Sequence, residues 1–364
     1  MAVDSVGILI ADSGNSRIRE VVAASGTIQT RAGNGTLGFS GDGGLATLAA
    51  LNSPASVVVD ISGNIFIADT GNNRIREVIA DGRTINTVAG NGAAGFSGDG
   101  GPAINAELNF PNGVFLGPVS GDIFFADTGN SRIREVVADN IQTVVGNGTT
   151  GFIGDGGKPS SAELNGPMGV FVDGVGDVFI ADTMNWRVRE VVELMGNIQT
   201  VAGDGGVGFS GDGGPATSAE LGFPAGVFAD RFGNIFIADS DNFRVREMAA
   251  TTGNIQTVAG IGSQGFSGDI GPATSAQLRQ VFEISVDTSG NAFIADWSNG
   301  RIRKVVSRTG TISTVAGNDT SGFSGDGRPA TNAALFGAFQ AFVDSFGKYT
   351  SLILTTIAYG RWML

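Results

Sequence analysis

The chain has 364 residues, a net charge of −13, and neither cysteine nor histidine. These counts exclude disulfide bonds, imidazole bases, cysteine nucleophiles and zinc sites built from histidine or cysteine. Any bound metal would need oxygen ligands, and the acidic balance disfavours nucleic acid as a partner. No signal peptide is expected at residues 1–15, and no apolar run is long enough for membrane insertion.

Two short sequence motifs, which we call words, recur six times along the chain. The first reads IADTGNNRIREV at 67–78, and its copies are spaced 55–58 residues apart. The aspartates of this word are Asp12, Asp69, Asp127, Asp182, Asp239 and Asp296. The second word reads GFSGDGG at 208–214 and keeps the same spacing. Repetition at a fixed period predicts an array of similar structural units.

Each unit is predicted to contain four short strands. In the fourth unit they are 169–173, 178–182, 187–192 and 197–203, which are rich in Val, Ile, Phe and Thr and bounded by turn residues. A long connector with a short helical turn at PATSAEL precedes the next unit. Because one such unit cannot bury both its faces, the repeats predict an all-β, six-bladed β-propeller with four-stranded antiparallel blades.

The two words also resemble a known family. NIFIADTGNNRIREV and INTVAGNG followed by GFSGDGGPA are similar to NHL-repeat proteins of the bacterial type with long connectors. That resemblance implies the propeller fold and favours an extracytoplasmic location. The NHL-repeat family includes protein-binding domains, RNA-binding domains and a metal-dependent amidating lyase. The zinc site of that lyase needs histidines, which this chain lacks.

The ends of the chain depart from the repeat. The predicted division is 1–338 for six blades and 339–364 for a partial seventh copy with an irregular tail. The word AFVDSFGKYTSLIL at 341–354 resembles two strands of a further copy. Either this late strand closes the ring against the beginning of the chain, or the sequence is clipped at the front and divergent at the back.

The repeated words themselves are predicted to be structural. Asp182 is expected to form a salt bridge with Arg187. The equivalent residues of the other five blades are expected to do the same, which would link each blade to its loop. Phe209 is expected to pack on the blade and Asp212 to accept bonds from neighbouring amides. A calcium ion in each loop is the functional alternative, but each loop offers one carboxylate where calcium takes about 6–8 oxygens.

Function is expected where the repeat is broken. The turns between the second and third strands carry small residues in units 1–3 but bulky or charged ones in units 4–6. The candidate ligand-binding residues are Met184, Trp186, Asp241, Phe243 and Trp297. They predict a non-catalytic, monomeric binding propeller that recognises a protein segment or a glycan. The alternative is that each ring folds over its own blade.

A second break lies at the entrance of the central channel. The sixth unit has QVFE where others have Pro-x-Gly, which places Glu283 opposite Asn112, half a turn round the ring, and Gln340 follows in the last copy. This pair resembles the calcium site of gluconolactonase-like propeller hydrolases, although Ala55, Met168 and Ala225 replace further ligands. A metal-dependent hydrolase or lyase, holding calcium or manganese at Asn112 and Glu283, is therefore one alternative. A purely architectural module of a surface protein is another. No catalytic residue and no cofactor is predicted otherwise.

Overall fold

A computed structural model describes residues 7–80, 83–118 and 121–343. These residues form six antiparallel sheets, five with four strands and one with five. The inner strands of consecutive sheets lie next to each other around a closed ring. The predicted six-bladed, all-β propeller is confirmed. Within the described ranges, no helix is long and apolar enough to cross a membrane.

The strands of each blade are ordered from the channel outward. Blade 1 consists of β25 (Ala338–Val343), β1 (Ile8–Asp12), β2 (Arg17–Val21) and β3 (Ile28–Ala32). Blade 2 consists of β5 (Ser56–Val59), β6 (Ile65–Asp69), β7 (Arg74–Val78), β8 (Thr84–Ala89) and the short outer strand β4 (Gly44–Leu45). Blade 3 consists of β9 (Pro111–Leu116), β10 (Ile123–Asp127), β11 (Arg132–Val137) and β12 (Asn140–Val145).

Blades 4 to 6 follow the same plan. Blade 4 consists of β13 (Val170–Val172), β14 (Val178–Asp182), β15 (Arg187–Val192) and β16 (Asn197–Ala202). Blade 5 consists of β17 (Pro224–Ala229), β18 (Ile235–Asp239), β19 (Arg244–Met248) and β20 (Ile255–Ala259). Blade 6 consists of β21 (Val281–Val286), β22 (Ala292–Asp296), β23 (Arg301–Val306) and β24 (Thr311–Ala316).

The described helices are all 3₁₀ helices of three residues. Six form the turns between the second and third strands: Ser13–Asn15, Thr70–Asn72, Thr128–Asn130, Thr183–Asn185, Ser240–Asn242 and Trp297–Asn299. Six lie in the connectors between blades: Ala46–Leu48, Ala103–Asn105, Pro159–Ser161, Ala216–Ser218, Ala273–Ser275 and Ala330–Asn332. The helical turn predicted at PATSAEL is thus present as Ala216–Ser218.

Blade 1 is built from both ends of the described chain. Strand β25 pairs antiparallel with β1, with Ala338 opposite Asp12 and Val343 opposite Ile8. The late strand therefore supplies the inner strand of blade 1. The second strand of the predicted seventh copy and the tail lie beyond Val343, outside the described residues.

The core lies between neighbouring blades. All five residues of β14 and all five of β18 are buried, because each sheet is covered on both faces. One apolar cluster joins Phe179 and Ala181 of blade 4 to Ile235 and Ile237 of blade 5. Short, nearly continuous apolar strands therefore stabilise the ring by burying a face of each blade against the next.

The Gly-rich connectors protect the outer edge of each following blade. In blade 5, the Gly213 amide donates to the Ile255 carbonyl at 2.8 Å, and the Ile255 amide donates to Gly214 at 2.9 Å. In blade 4, Gly156 donates to Ile198 at 2.7 Å. An exposed edge strand is a template for aggregation, so these bonds remove that hazard while they hold the blades together.

The predicted pairing of Asp182 with Arg187 is wrong. Arg187 stands opposite Asp182 in the ladder, but its guanidinium donates to carbonyl oxygens of the turn and the following connector. The partner is Arg189, which is fully buried and lies 3.4 Å from the Asp182 carboxylate. Its other nitrogen contacts Asp155 of the preceding connector.

The same pair of salt bridges occurs in all six blades, where one buried arginine joins two aspartates. We call this arrangement the tie. The six arginines are Arg19, Arg76, Arg134, Arg189, Arg246 and Arg303. In blade 5, Arg246 contacts Asp239 at 3.3 Å and the connector's Asp212 at 2.7 Å. Asp212 thus binds an arginine, where the sequence predicted bonds to amides.

In five of the six blades, the phenylalanine of the second repeated word packs against the arginine of the tie, as Phe209 does at 4.8 Å from the Arg246 guanidinium carbon. The Phe209 ring lies under Arg244, with 3.7 Å from the guanidinium carbon to the ring centroid, as expected for a residue that packs on the blade. Burial raises the pKa of Asp239 to about 6, although a backbone amide, an asparagine and Arg246 all donate to it. At neutral pH the carboxylate is still ionised and attracts the arginine.

Candidate binding site at the channel mouth

The two kinds of connector converge at one end of the central channel, which we call the mouth. It is surrounded by the 3₁₀ turns between second and third strands and by the residues that enter each inner strand. The residue before the inner strand has a left-handed backbone, as at Phe110 (φ 50°) and Phe223 (φ 53°). This bend turns the chain sharply from the connector into the channel wall.

Four aromatic rings form a contiguous group at the mouth. We call them the mouth cluster: Phe223, Phe282, Trp297 and Phe339. Phe282 lies at its centre, with its centroid 4.5 Å from Phe339, 5.2 Å from Trp297 and 6.3 Å from Phe223. All four side chains are half-buried. The rings therefore hold each other in place while part of each remains open to solvent.

A pocket of about 210 Å³ opens beside Trp297, between the turn of blade 6 and the segment that enters β25. Its walls include Arg279, Asp319 and Phe336. All three are exposed, and Asp319 also contacts Arg301 at 3.2 Å. The mouth cluster is thus continuous with a small recess that carries one exposed guanidinium and one exposed carboxylate that is paired with Arg301.

The five residues predicted to bind a ligand lie on the turns of blades 4–6, but at different turn positions. Trp297 is the first residue of its turn, Met184 and Asp241 are second, and Trp186 and Phe243 follow the turn. Among the aromatic pairs of the described residues, Trp297 contacts Phe282, and neither Trp186 nor Phe243 joins the cluster. Met184 and Asp241 are exposed.

Trp186 and Phe243 occupy an unusual backbone conformation. Their φ angles are 52° and 53°, in the left-handed region, where blade 6 has Gly300 and blade 1 has Ser16. That region costs a non-glycine residue about 1–2 kcal/mol. Two bulky rings are therefore held at positions where smaller residues serve the same turn.

Glu283 is a buried acid inside the channel wall. It is 7% exposed, and its carboxyl accepts one bond, from the Ile284 amide at 3.2 Å. Burial raises the pKa of Glu283 to about 8, so the side chain is protonated at neutral pH. A Cβ atom added at Gly226 would lie 2.6 Å from its carboxyl oxygen, which explains why blade 5 has glycine there.

The amides of Asn112 and Gln340 are engaged by the channel wall. Asn112 donates to the Phe110 carbonyl at 3.3 Å and to the Thr128 hydroxyl at 3.0 Å. The Gln340 amide oxygen accepts a bond from the Ser56 hydroxyl at 2.9 Å. Both side chains therefore connect neighbouring segments of the ring.

The predicted metal site at Asn112 and Glu283 remains a prediction. The contacts that these two side chains make do not favour metal binding there. Within the described ranges, no three acidic side chains come together in a group that could hold a metal ion. A protonated Glu283 offers little charge to a cation, and calcium takes about 6–8 oxygen ligands. Asn112 could add only its single amide oxygen, since its amide nitrogen donates to the channel wall.

Sequence patterns did not reveal three members of the mouth cluster. Phe282 is the third residue of QVFE at 280–283. That segment was predicted to matter because of Glu283 and not because of the aromatic side chain of Phe282. Phe339 occupies the equivalent place in GAFQ at 337–340, where blade 2 has Ala55 and blade 5 has Ala225. Aligning the inner strands column by column would have shown these two rings side by side on neighbouring blades.

Comparison with known proteins supports the repeat assignment. Residues 51–77, which include β5 and β6, match the family model of the NHL repeat. The chain is 28% identical to Protein SUPPRESSOR OF QUENCHING 1, chloroplastic, of Arabidopsis thaliana, over 84% of this chain and 30% of that protein. It is 27% identical to NHL repeat-containing protein 2 of Bos taurus, over 86% of this chain and 47% of that protein. The chain thus spans less than half the length of either relative.

A solved structure shows the same architecture. It is described as the Nidogen/Laminin Complex and matches with a TM-score of 0.56 at 14% identity, over 84% of this chain and 91% of the other. At that identity the likeness supports the fold alone. The matched repeat and the relatives show that this chain is similar to NHL-repeat proteins, and its six blades form a β-propeller.

Proposed function

We propose that the protein is a non-catalytic binding propeller that recognises a protein segment at its channel mouth. The observation that carries this proposal is the mouth cluster. Its four rings touch one another, stay partly exposed and are confined to blades 5, 6 and 1 of an otherwise regular ring. Clustered aromatic side chains of this kind supply most of the binding energy at protein interfaces.

The surroundings of the cluster favour a protein segment over a glycan. A sugar needs many hydrogen-bond partners, but the Ser298 hydroxyl donates to Gln280 at 2.7 Å and Asp319 is paired with Arg301. The 210 Å³ pocket beside Trp297 has room for one side chain of a partner. A segment with an apolar anchor and a neighbouring acidic residue would fit this recess and the Arg279 guanidinium.

The turn residues of blades 4 and 5 would form the outer part of the same surface. Met184 is 44% exposed, and Asp241 adds a carboxylate beside it on the next blade. Trp186 and Phe243 are held in left-handed backbone positions that cost stability, and such strain is tolerated more readily where a side chain serves binding. We therefore place them at the edge of the site and the mouth cluster at its centre.

Selection from a random-peptide library on the immobilised full chain tests this proposal. We expect the selected peptides to share an apolar or aromatic residue next to an acidic one. Trp297→Ala should weaken their binding roughly 10-fold or more, because a central ring is lost, and Trp186→Ala should weaken it less. Isothermal titration with the selected peptides measures both effects.

Phe232→Ala is the matched control, since Phe232 is an exposed ring (67%) at the opposite end of the channel. It should leave peptide affinity unchanged. A glycan array screened in parallel separates the two ligand classes. Peptide binding that survives Trp297→Ala, or binding of glycans alone, would contradict the proposal. A thermal melt of each variant shows whether a lost affinity reflects lost folding.

A further inference from the structure

A second and larger cavity lies at the other end of the channel, which we call the lower cavity. Its volume is about 700 Å³, and all six blades contribute to its walls through the ends of the inner strands and the turns that follow them. Sites for small molecules typically measure about 300–1,000 Å³. The lower cavity is therefore large enough to enclose a whole ligand of that class.

Four phenylalanine rings form the floor of the lower cavity: Phe115, Phe171, Phe228 and Phe342. Phe171 lies between two neighbours, with its centroid 4.6 Å from Phe115 and 4.4 Å from Phe228. The Phe342 ring meets Phe115 edge-on at 6.3 Å. All four occupy the same column of the inner strands, where blade 2 has Val58 and blade 6 has Ser285.

The rim of the lower cavity is mainly acidic in the part of the chain that the structure describes. Its acidic residues are Asp60, Asp173, Asp230 and Asp287. Arg231 is the single basic residue among the described residues that line it, and its guanidinium lies over the Phe232 ring at 4.7 Å. The excess of acidic over basic groups at the rim therefore favours a cation.

These carboxylates are held in place by their own turns. Asp230 accepts bonds from the Phe232 and Asn234 amides at 2.8 and 2.9 Å, and its second oxygen accepts a bond from the Asn234 side chain. The same pattern occurs at Asp60 and Asp287. The negative charges are thus fixed at the rim at no further ordering cost when a ligand binds.

We propose that the lower cavity binds a small organic cation, an ammonium compound with an aromatic or aliphatic body. Burying the body against the phenylalanine floor removes apolar surface from water. The faces of the rings and the rim carboxylates both attract the positive group. An anion of the same shape meets the same floor but a repulsive rim.

This inference is independent of the proposed peptide site. The two sites lie at opposite ends of the channel, and no residue is shared between the mouth cluster and the described lining of the lower cavity. Failure of either proposal leaves the other unchanged.

Three probes of one skeleton test the charge preference on the full chain: a naphthylbutyl group ending in ammonium, hydroxyl or carboxylate. Their binding is followed by isothermal titration and by naphthyl fluorescence at low salt. We expect the ammonium probe to bind most tightly, the alcohol less tightly and the carboxylate least. Equal binding of all three, or preference for the carboxylate, would overturn the proposal.

Two variants place the binding in the lower cavity. Val58→Lys places a fixed ammonium group in the floor and should abolish binding of the ammonium probe by like-charge repulsion. Asp230→Asn keeps an oxygen for the two turn amides, gives up the bond from the Asn234 side chain and removes one charge. Ammonium affinity should fall about 2- to 5-fold while the alcohol is unaffected. The second variant keeps the test valid if the first does not fold.

Trp297→Ala disables the mouth, so ammonium binding that persists in this variant belongs to the lower cavity. Exposed Leu48→Ala, outside both sites, is the matched control and should not alter binding of any probe. Loss of ammonium binding in Trp297→Ala, or its retention in a folded Val58→Lys protein, would place the site elsewhere and contradict the inference. No binding of any probe to the unmodified chain would also overturn it.

Discussion

The periphery of this propeller carries the same residues in every blade, whereas the residues around its axis differ from blade to blade. At the periphery, all six blades carry the same buried arginine between two aspartates, with fully buried guanidinium groups throughout. Around the axis, the inner strands differ from blade to blade, with glycines in blades 3–5 and Glu283 and Gln340 in blades 6 and 1. The repeated residues hold the ring together, and the unequal ones distinguish its surfaces.

The largest effect is expected from breaking a peripheral tie. Arg189→Met would leave the buried Asp182 carboxylate without its arginine, and removing one partner of a buried ion pair costs about 3–5 kcal/mol. Arg187→Met is the control in the same strand, because its guanidinium bonds carbonyl oxygens near the surface. Urea unfolding measures both. Equal losses for the two variants would show that burial of the pair does not decide stability.

A smaller effect is expected from adding one carbon at the axis. Gly226→Ala would place a Cβ 2.6 Å from the Glu283 carboxyl and 2.7 Å from the Phe282 carbonyl. Overpacking of this kind costs about 1–3 kcal/mol. Gly174→Ala is the control, since nothing lies within 4 Å of its added Cβ. If thermal melts show the same stability for both variants, the inner strands are less closely packed than the structure indicates.

The last expected effect depends on pH. Burial raises the pKa of Glu283 from 4.5 to about 8, so the folded state holds this proton more strongly than the unfolded state. Its contribution to stability is complete below pH 4.5 and is lost as pH rises through about 8. The glutamine of Glu283→Gln cannot titrate. The melting temperature of this variant should therefore rise relative to that of the unmodified chain as the pH increases through about 8.

Melting temperatures across that pH range, with exposed Glu193→Gln as the control, check this expectation. Parallel curves for Glu283→Gln and the unmodified chain would show that the acid is not buried in a neutral form. The same result would also weaken the contrast between an unequal axis and a regular periphery.

The repeat predicted the fold because it specifies every blade separately. Fixed spacing of the words, strand-length apolar runs and turn residues located the four strands of blade 4 within two residues of their observed bounds. The pairing of Asp182 failed because strand periodicity places Arg187 and Arg189 on one face and cannot tell which of them reaches the carboxylate.

The candidate site was predicted only in part. Trp297 was identified because the turns of blades 4–6 carry bulky residues where those of blades 1–3 carry small ones. Its partners Phe282 and Phe339 come from inner strands that are distant in sequence, and the closure of the ring brings them together. The floor of the lower cavity was missed for the same reason, since Phe115 and Phe342 meet only across the channel.

The pairing of β25 with β1 has a consequence for how the protein is made. Blade 1 has no inner strand until Ala338–Val343 has been synthesised, so β1 must wait with an unpaired edge while five blades form. Contacts between such distant segments are slow to form, and an open edge invites pairing with another chain. The nascent chain is therefore most vulnerable to misassembly on the ribosome, shortly before the closing strand emerges.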